Sequence, residues 1–259
     1  YTEVSSKDKI QKTTPSTLAQ IAIIAFVSIP VLLGFVLPVS WILFYATQYL
    51  AEFNAIYWLT LFHSFSVAFV SSFCIIGVCI ILSYSHRIFS GTIMQSLIHI
   101  ATLGYSVPGA IVGVGVIVLV NLYDVLSIFN GTLVALCFGY CVRFLAVGQN
   151  SIQSAFAKIH LNINKASQTL GNSLLATLYK IELPLVTPAL LTTFILVFVD
   201  ILKELPLSLI LSPFNFDTLA TKTYEFANNE MLREASVYSL GIVLLCLTSV
   251  ILSRKIQDE

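Results

Sequence analysis

The residues of this chain best suited to chemistry are three carboxylates near one end of a long apolar segment. Asp200 and Glu204 stand one helical turn apart and so share a face. With Asp217 they would form an acidic mouth for a hard cation, which prefers oxygen ligands. The competing reading is a charge cluster with Lys203 that fixes the connecting loop. Tyr105 and Tyr140 carry phenols that would suit the same path, although a structural tyrosine with a satisfied hydroxyl is commoner. His63, His86, His99 and His160 are scattered and read as structural, and no metal site is assigned. Cys74, Cys79, Cys137, Cys141 and Cys246 all lie in apolar runs without ligand-type neighbours and read as packing or lipid-facing residues. No His-Glu-x-x-His or Gly-x-Ser-x-Gly site is present, so no catalytic residue is assigned. There is no Gly-Lys-Ser/Thr loop either, so the chain itself is not expected to bind ATP.

The elements that position these residues follow from composition. The 259 residues are 57% hydrophobic and 10% charged, against about 25% charged in a soluble domain. Mean hydropathy is +0.91. So few charges cannot cover a soluble surface, and the surplus apolar side chains must face lipid. Net charge is +0, which points away from a nucleic-acid partner. Six segments have the length and apolar content of a spanning helix: about 18–45, 59–84, 95–120, 132–148, 185–202 and 237–252. Pro30 and Pro38 are expected kinks in the first, and the run around Gly109, Gly113 and Gly115 in the third suits close helix packing. The fold expected is therefore all-α and polytopic.

Charge orients it. With a cytoplasmic N-terminus, Lys7, Lys9, Lys12, Arg87, Arg143, Lys158, Lys165, Lys180, Arg254 and Lys255 lie inside, and only Lys203, Lys222 and Arg233 outside. Both termini are then cytoplasmic. Arg143 reads as an anchor at the inner end of the fourth span, reaching the head groups, with a loop-stabilising contact as the alternative. The domain reading is a polar segment 1–17, a transmembrane domain 18–255 with a cytoplasmic loop at about 149–184, and a tail 256–259. The polar start shows no signal-peptide pattern.

That cytoplasmic loop is the most informative stretch. Its apolar residues recur at three- and four-residue spacing, as in two short amphipathic helices. It reads Lys165-Ala166-Ser167, three residues, Gly171, nine residues, then Ile181-Glu182-Leu183-Pro184. Gly171 permits a sharp turn. Pro184 is expected to end the second short helix at Leu183 and to open the fifth span. The result would be a rigid projection tied to a spanning helix, able to transmit a push from a soluble partner.

This loop resembles the Glu-Ala-Ala motif of ABC importer permeases, with Ala166, Gly171, Ile181, Leu183 and Pro184 matching in type and spacing. Lys165 stands where that family has Glu, and Ser167 where it has the second Ala. Gly104-Tyr105-Ser106-Val107-Pro108-Gly109-Ala110, Arg143-Phe144-Leu145-Ala146-Val147, Lys203-Glu204-Leu205-Pro206 and Phe216-Asp217-Thr218-Leu219-Ala220 resemble the ferric-iron permeases of that family. The resemblance implies the type I ABC importer fold in a bacterial inner membrane. It implies an ATPase partner that docks on the loop and holds the ATP and Mg, a second permease half and a periplasmic binding protein. It also implies Fe3+ as cargo, with thiamine, phosphonate, sulfate or polyamine as alternatives on the same scaffold. Because the family usually joins two six-span halves, the chain is read as a C-terminal half or a fragment. An intramembrane enzyme or a passive channel is the competing class, and neither would need a coupling loop.

Overall fold

The computed structural model describes residues 15–89 and 91–258. Most of the polar start, with Lys7, Lys9 and Lys12, and the last residue of the tail lie outside the described residues. Ten helices follow in order. They are α1 (Thr17–Gln48), α2 (Ala55–Ile88), α3 (Thr92–Thr102), α4 (Gly109–Leu122), α5 (Leu133–Ala157), α6 (Leu161–Thr169), α7 (Leu174–Leu202), α8 (Pro206–Leu211), α9 (Leu219–Asn228) and α10 (Leu232–Asp258). The described residues contain no strand. Five helices are long and apolar enough to cross a membrane, or six if α3 and α4 count as one span.

The core forms where α2, α5 and α7 meet, with α10 against α7. Ser64, Ala68, Ser71, Ile75, Cys79 and Ser83 are all buried along one face of α2. Between membrane helices, which gain little from hydrophobicity, such small residues allow the close contact that dispersion needs. Gly148 of α5 meets this stripe: a Cβ there would lie 2.8 Å from Cys79 Sγ. Ile75, Leu136, Ile152 and Val197 fill the centre. The first half of α1 stands apart from the bundle, and its second half packs against α10, burying Ala46.

Two expectations about helix continuity need correction. The third span is not one rod, because α3 and α4 meet at 116° through a short 3-10 turn, Leu103–Ser106. The break is held by close approach, since a Cβ on Gly104 would collide with the carbonyl of Val142 in α5. Gly109 and Gly113 do face neighbours, whereas Gly115 faces open space. The second correction concerns Pro184, which does not end a helix. α7 runs unbroken from Leu174 to Leu202 through a π turn at Leu178–Glu182. A proline ring clashes with the carbonyl four residues back and leaves it without a donor. For Pro184 that residue is Lys180, inside the π turn, and for Pro38 of α1 it is Gly34, inside the π turn Leu32–Val36. Widening one turn absorbs the proline while the helix continues.

Candidate functional site

The loop motif folds into a helical hairpin, α6 and the start of α7. His160 opens α6, its Nδ1 accepting from Asn162 N at 3.2 Å. The helix stops at Gly171, whose φ of +85° suits glycine. Asn172 N donates to Ser167 O at 3.1 Å and Gly171 N to Gln168 O at 2.9 Å, the paired bonds of a Schellman stop. Ser173 then caps α7, accepting from Ala176 N at 3.2 Å. Ser167, one of the two departures from the motif, is buried, and its hydroxyl lies 2.8 Å from Thr177 Oγ1 across the hairpin. Lys165 and Ala166 are exposed, as is Leu170 at the tip. Ile181 and Leu183 are half-buried near the base and Pro184 is exposed.

At that base lies an ion pair that the sequence did not single out. Arg87, in the last turn of α2, places Nε 3.0 Å from Oε1 of Glu182, whose side chain is fully buried. The N–H is not aimed at the carboxylate, so the contact is an ion pair and not a directed hydrogen bond. The guanidinium also donates to the carbonyl of Phe156 and, at 3.3 Å, to that of His160. One turn earlier, Tyr84 OH donates to Leu174 O at 2.6 Å. The end of α2 therefore holds both strands of the hairpin, where α5 leads into α6 and where α7 begins.

Just past the other end of α7 lies a second ion pair, between half-buried Arg143 and buried Glu204. Arg143 Nε lies 3.1 Å from Glu204 Oε2, and its Nη1 donates to Val107 O at 2.8 Å. This corrects the reading of Arg143 as a head-group anchor. α5 continues to Ala157, so Arg143 sits near its middle, where a charge needs a partner inside the protein. Gly109 faces the pair, and a Cβ there would run into Glu204 Oε1. Ser208 Oγ donates to Glu204 O at 2.5 Å and sits 2.6 Å from the hydroxyl of buried Tyr140. The cluster joins two interruptions, that between α3 and α4 and that between α7 and α8.

The three candidate carboxylates do not converge. Asp200 pairs with Lys203 at 2.8 Å, Glu204 with Arg143, and Asp217 with Lys222 at 3.1 Å. Lys222 also reaches Glu225 at 2.8 Å. Partial burial lowers its pKa, but the hydrogen bonds to Glu225 and Asp217 outweigh this and leave it above the ordinary lysine value. Among the described residues no three His, Cys, Asp or Glu side chains are grouped to hold a metal ion. Tyr105 is exposed beside the break, while Tyr140 is buried. His63 stacks on Phe216 with ring centroids 4.2 Å apart, a structural role.

Comparison with known proteins agrees with this architecture. No family model matches the sequence. A ferric transport system permease protein, FbpB, of Actinobacillus pleuropneumoniae is 32% identical over 123 residues, which are 48% of this chain and 17% of that protein. A second ferric-iron permease, from Haemophilus influenzae, is 24% identical over 151 residues, 58% of this chain and 29% of that protein. The matched segment is thus under a third of either relative. Among solved structures, a chain of a bacterial alginate ABC transporter, in complex with an alginate-bound periplasmic protein, superposes with a TM-score of 0.74 at 13% identity, covering 91% of this chain and 92% of that one. A chain of the MetNI methionine ABC transporter gives 0.59 at 16% identity, covering 76% and 94%. The chain has the multi-span fold of ABC transporter permeases and, over about half its length, is similar in sequence to the ferric transport permeases.

Proposed function

We propose that this chain is a permease subunit of an ATP-driven importer in a bacterial inner membrane, carrying ferric iron delivered by a periplasmic binding protein. The observation that carries this reading is the hairpin Lys165–Pro184, a projecting helix, a glycine turn and a second helix continuous with a membrane span. An ATPase subunit engages Lys165, Ala166 and Leu170, while Gly171 and Ser167 keep the hairpin in shape. Because α7 is unbroken through Ile181, Leu183 and Pro184, a displacement of the tip moves the span itself. Rocking of this subunit against a second permease half then alternates access to a central path. With the positive side inside, the hairpin and both termini are cytoplasmic. The similarity to ferric transport permeases supports iron as cargo; thiamine, phosphonate, sulfate and polyamine remain the competing cargoes.

The substrate path in this reading passes Tyr105, Asp200, Glu204 and Asp217. The carboxylates act as a series of paired groups, each yielding to the cation in turn, and not as one chelating set. The test is uptake of radiolabelled ferric iron into cells expressing the chain with its second half, ATPase and binding protein. Gly171→Asp is expected to abolish both uptake and co-purification of the ATPase. Intact association and uptake in that variant would overturn the coupling reading. Near-normal uptake by Asp200→Asn and by Glu204→Gln would overturn the path.

A further inference from the structure

The projecting hairpin is one-signed. Between residues 158 and 181 the chain carries Lys158, Lys165 and Lys180 and no Asp or Glu. The first carboxylate beyond is Glu182, fully buried against Arg87 and so without effect on the outer surface. All three lysines are exposed, and among the described residues none is in an ion pair. The facing of Lys165 follows from Ser167. Its hydroxyl contact with Thr177 fixes the inward face of α6, and at 3.6 residues per turn Lys165 projects about 160° away, at the centre of the outward face. Large apolar side chains are exposed elsewhere on the hairpin: Leu170 is 83% exposed, Leu175 65% and Tyr179 67%. A projection that exposes only basic charges together with large apolar side chains suits a protein groove that offers carboxylates and apolar surface.

We infer that the ATPase groove receiving this hairpin is acidic, with at least one Asp or Glu placed to meet Lys165, so that the pair is matched by charge. This rests on the coupling reading above and adds the chemistry of the partner surface. It also makes the subunit selective. An ATPase whose groove presents a cation at that place would meet Lys165 as a like charge and be rejected.

The experiment measures affinity between the full chain, assembled with its second half in nanodiscs of neutral phosphatidylcholine, and the ATPase subunit that co-purifies with it. Lys165→Glu is expected to weaken binding at least tenfold and Lys165→Met about threefold. The methionine variant should show a shallower salt dependence than the wild type. Reversal of the facing groove carboxylate to lysine should restore binding to Lys165→Glu. Because Lys165 is exposed, the variants should keep the wild-type melting temperature, which separates a lost contact from a lost fold. Equal or tighter binding by Lys165→Glu, with wild-type binding intact, overturns the charge match and leaves the coupling reading standing. Absence of ATPase binding by the wild type, or indifference of binding to Gly171→Asp, overturns both. If the Lys165→Glu defect appears only in nanodiscs containing phosphatidylglycerol, the lysine faces lipid head groups and the inference fails.

Discussion

Removing the Arg87–Glu182 pair should loosen the hairpin from the membrane bundle. Both side chains are almost wholly buried, at 7% and 0% exposure. Loss of one partner then leaves a charge without compensation, which costs about 3–5 kcal/mol. Arg87→Ala belongs at the upper end of that range, because it also deprives the carbonyls of Phe156 and His160 of their donor. Glu182→Gln keeps the shape, and Arg87 retains both carbonyls, so about 2–3 kcal/mol is expected there. Replacing both residues with apolar ones, Arg87→Met with Glu182→Leu, should cost less than either single truncation, as buried pairs often do when exchanged whole. The assay is unfolding in mixed micelles followed by the fluorescence of Trp41 and Trp58, with a double-mutant cycle on the two positions. The expected coupling energy is about 1.5–3 kcal/mol. In the assembled transporter the single variants should retain ATP hydrolysis and lose more uptake than hydrolysis. A coupling energy below about 0.5 kcal/mol, or uptake and hydrolysis falling in parallel, would refute the idea that this pair fastens the hairpin to α2.

Three further outcomes follow from individual contacts. Gly104→Ala should prevent α5 from seating against the turn between α3 and α4, costing several kcal/mol or abolishing folding, whereas Gly115→Ala, which meets open space, should stay within about 0.5 kcal/mol in the same unfolding assay. Gly171→Ala places a Cβ at φ +85° and should lower stability by about 1–2 kcal/mol, with a matching loss of helical hydrogen-exchange protection confined to α6. Ser167→Ala removes one buried hydrogen bond but leaves Thr177 bonded to Ser173 O at 3.1 Å, so a cost of only about 0.5–1 kcal/mol is expected, and ATPase affinity should fall by no more than that.

The spans were legible because an apolar run long enough to cross a bilayer has few alternatives. α2, α7 and α10 fall where those runs lie. The end of α5 was not legible from apolarity, because the helix continues nine residues past Gly148 through Gln149, Asn150 and Ser151. It does so because Gln149 is buried against α2 and donates to Ser83 Oγ at 3.1 Å, a partner no local pattern reveals. Cutting the helix short also displaced Arg143 toward a head-group position. The 116° break was visible only as Gly104 and Pro108, which equally suit a kinked rod; the tertiary contacts with Val142 and Arg143 decide it. In the loop that holds Lys165 to Pro184, the spacing showed the glycine turn and the link to a span. Glu182 passed unnoticed as the variable position between Ile181 and Leu183. Its signal was there: a lone acid in a loop otherwise holding only bases, with Arg87 at the end of another span.

The ion pairs Arg87–Glu182 and Arg143–Glu204 are informative together. Glu182 lies near the start of α7 and Glu204 just past its end, the helix between them being about 30 Å long at 1.5 Å per residue. Each is held by an arginine from a different neighbour, Arg87 of α2 and Arg143 of α5. From Glu182 to Leu202 the helix is unbroken, since the π turn absorbs Pro184. A rod so fastened cannot slide past α2 at one end or away from the broken helices at the other without exposing a buried charge, at several kcal/mol per pair. A load on the hairpin therefore moves α2, α5 and α7 as one body or breaks a pair. This predicts how the Glu204→Gln variant should differ from the variants at the base. With Glu182–Arg87 intact it should bind the ATPase normally, and the assembled transporter should still hydrolyse ATP, yet pass less cargo, because the junction of the α3–α4 and α7–α8 breaks has lost its clamp. Loss of ATPase binding in Glu204→Gln would show instead that the two ends of α7 are not mechanically separable.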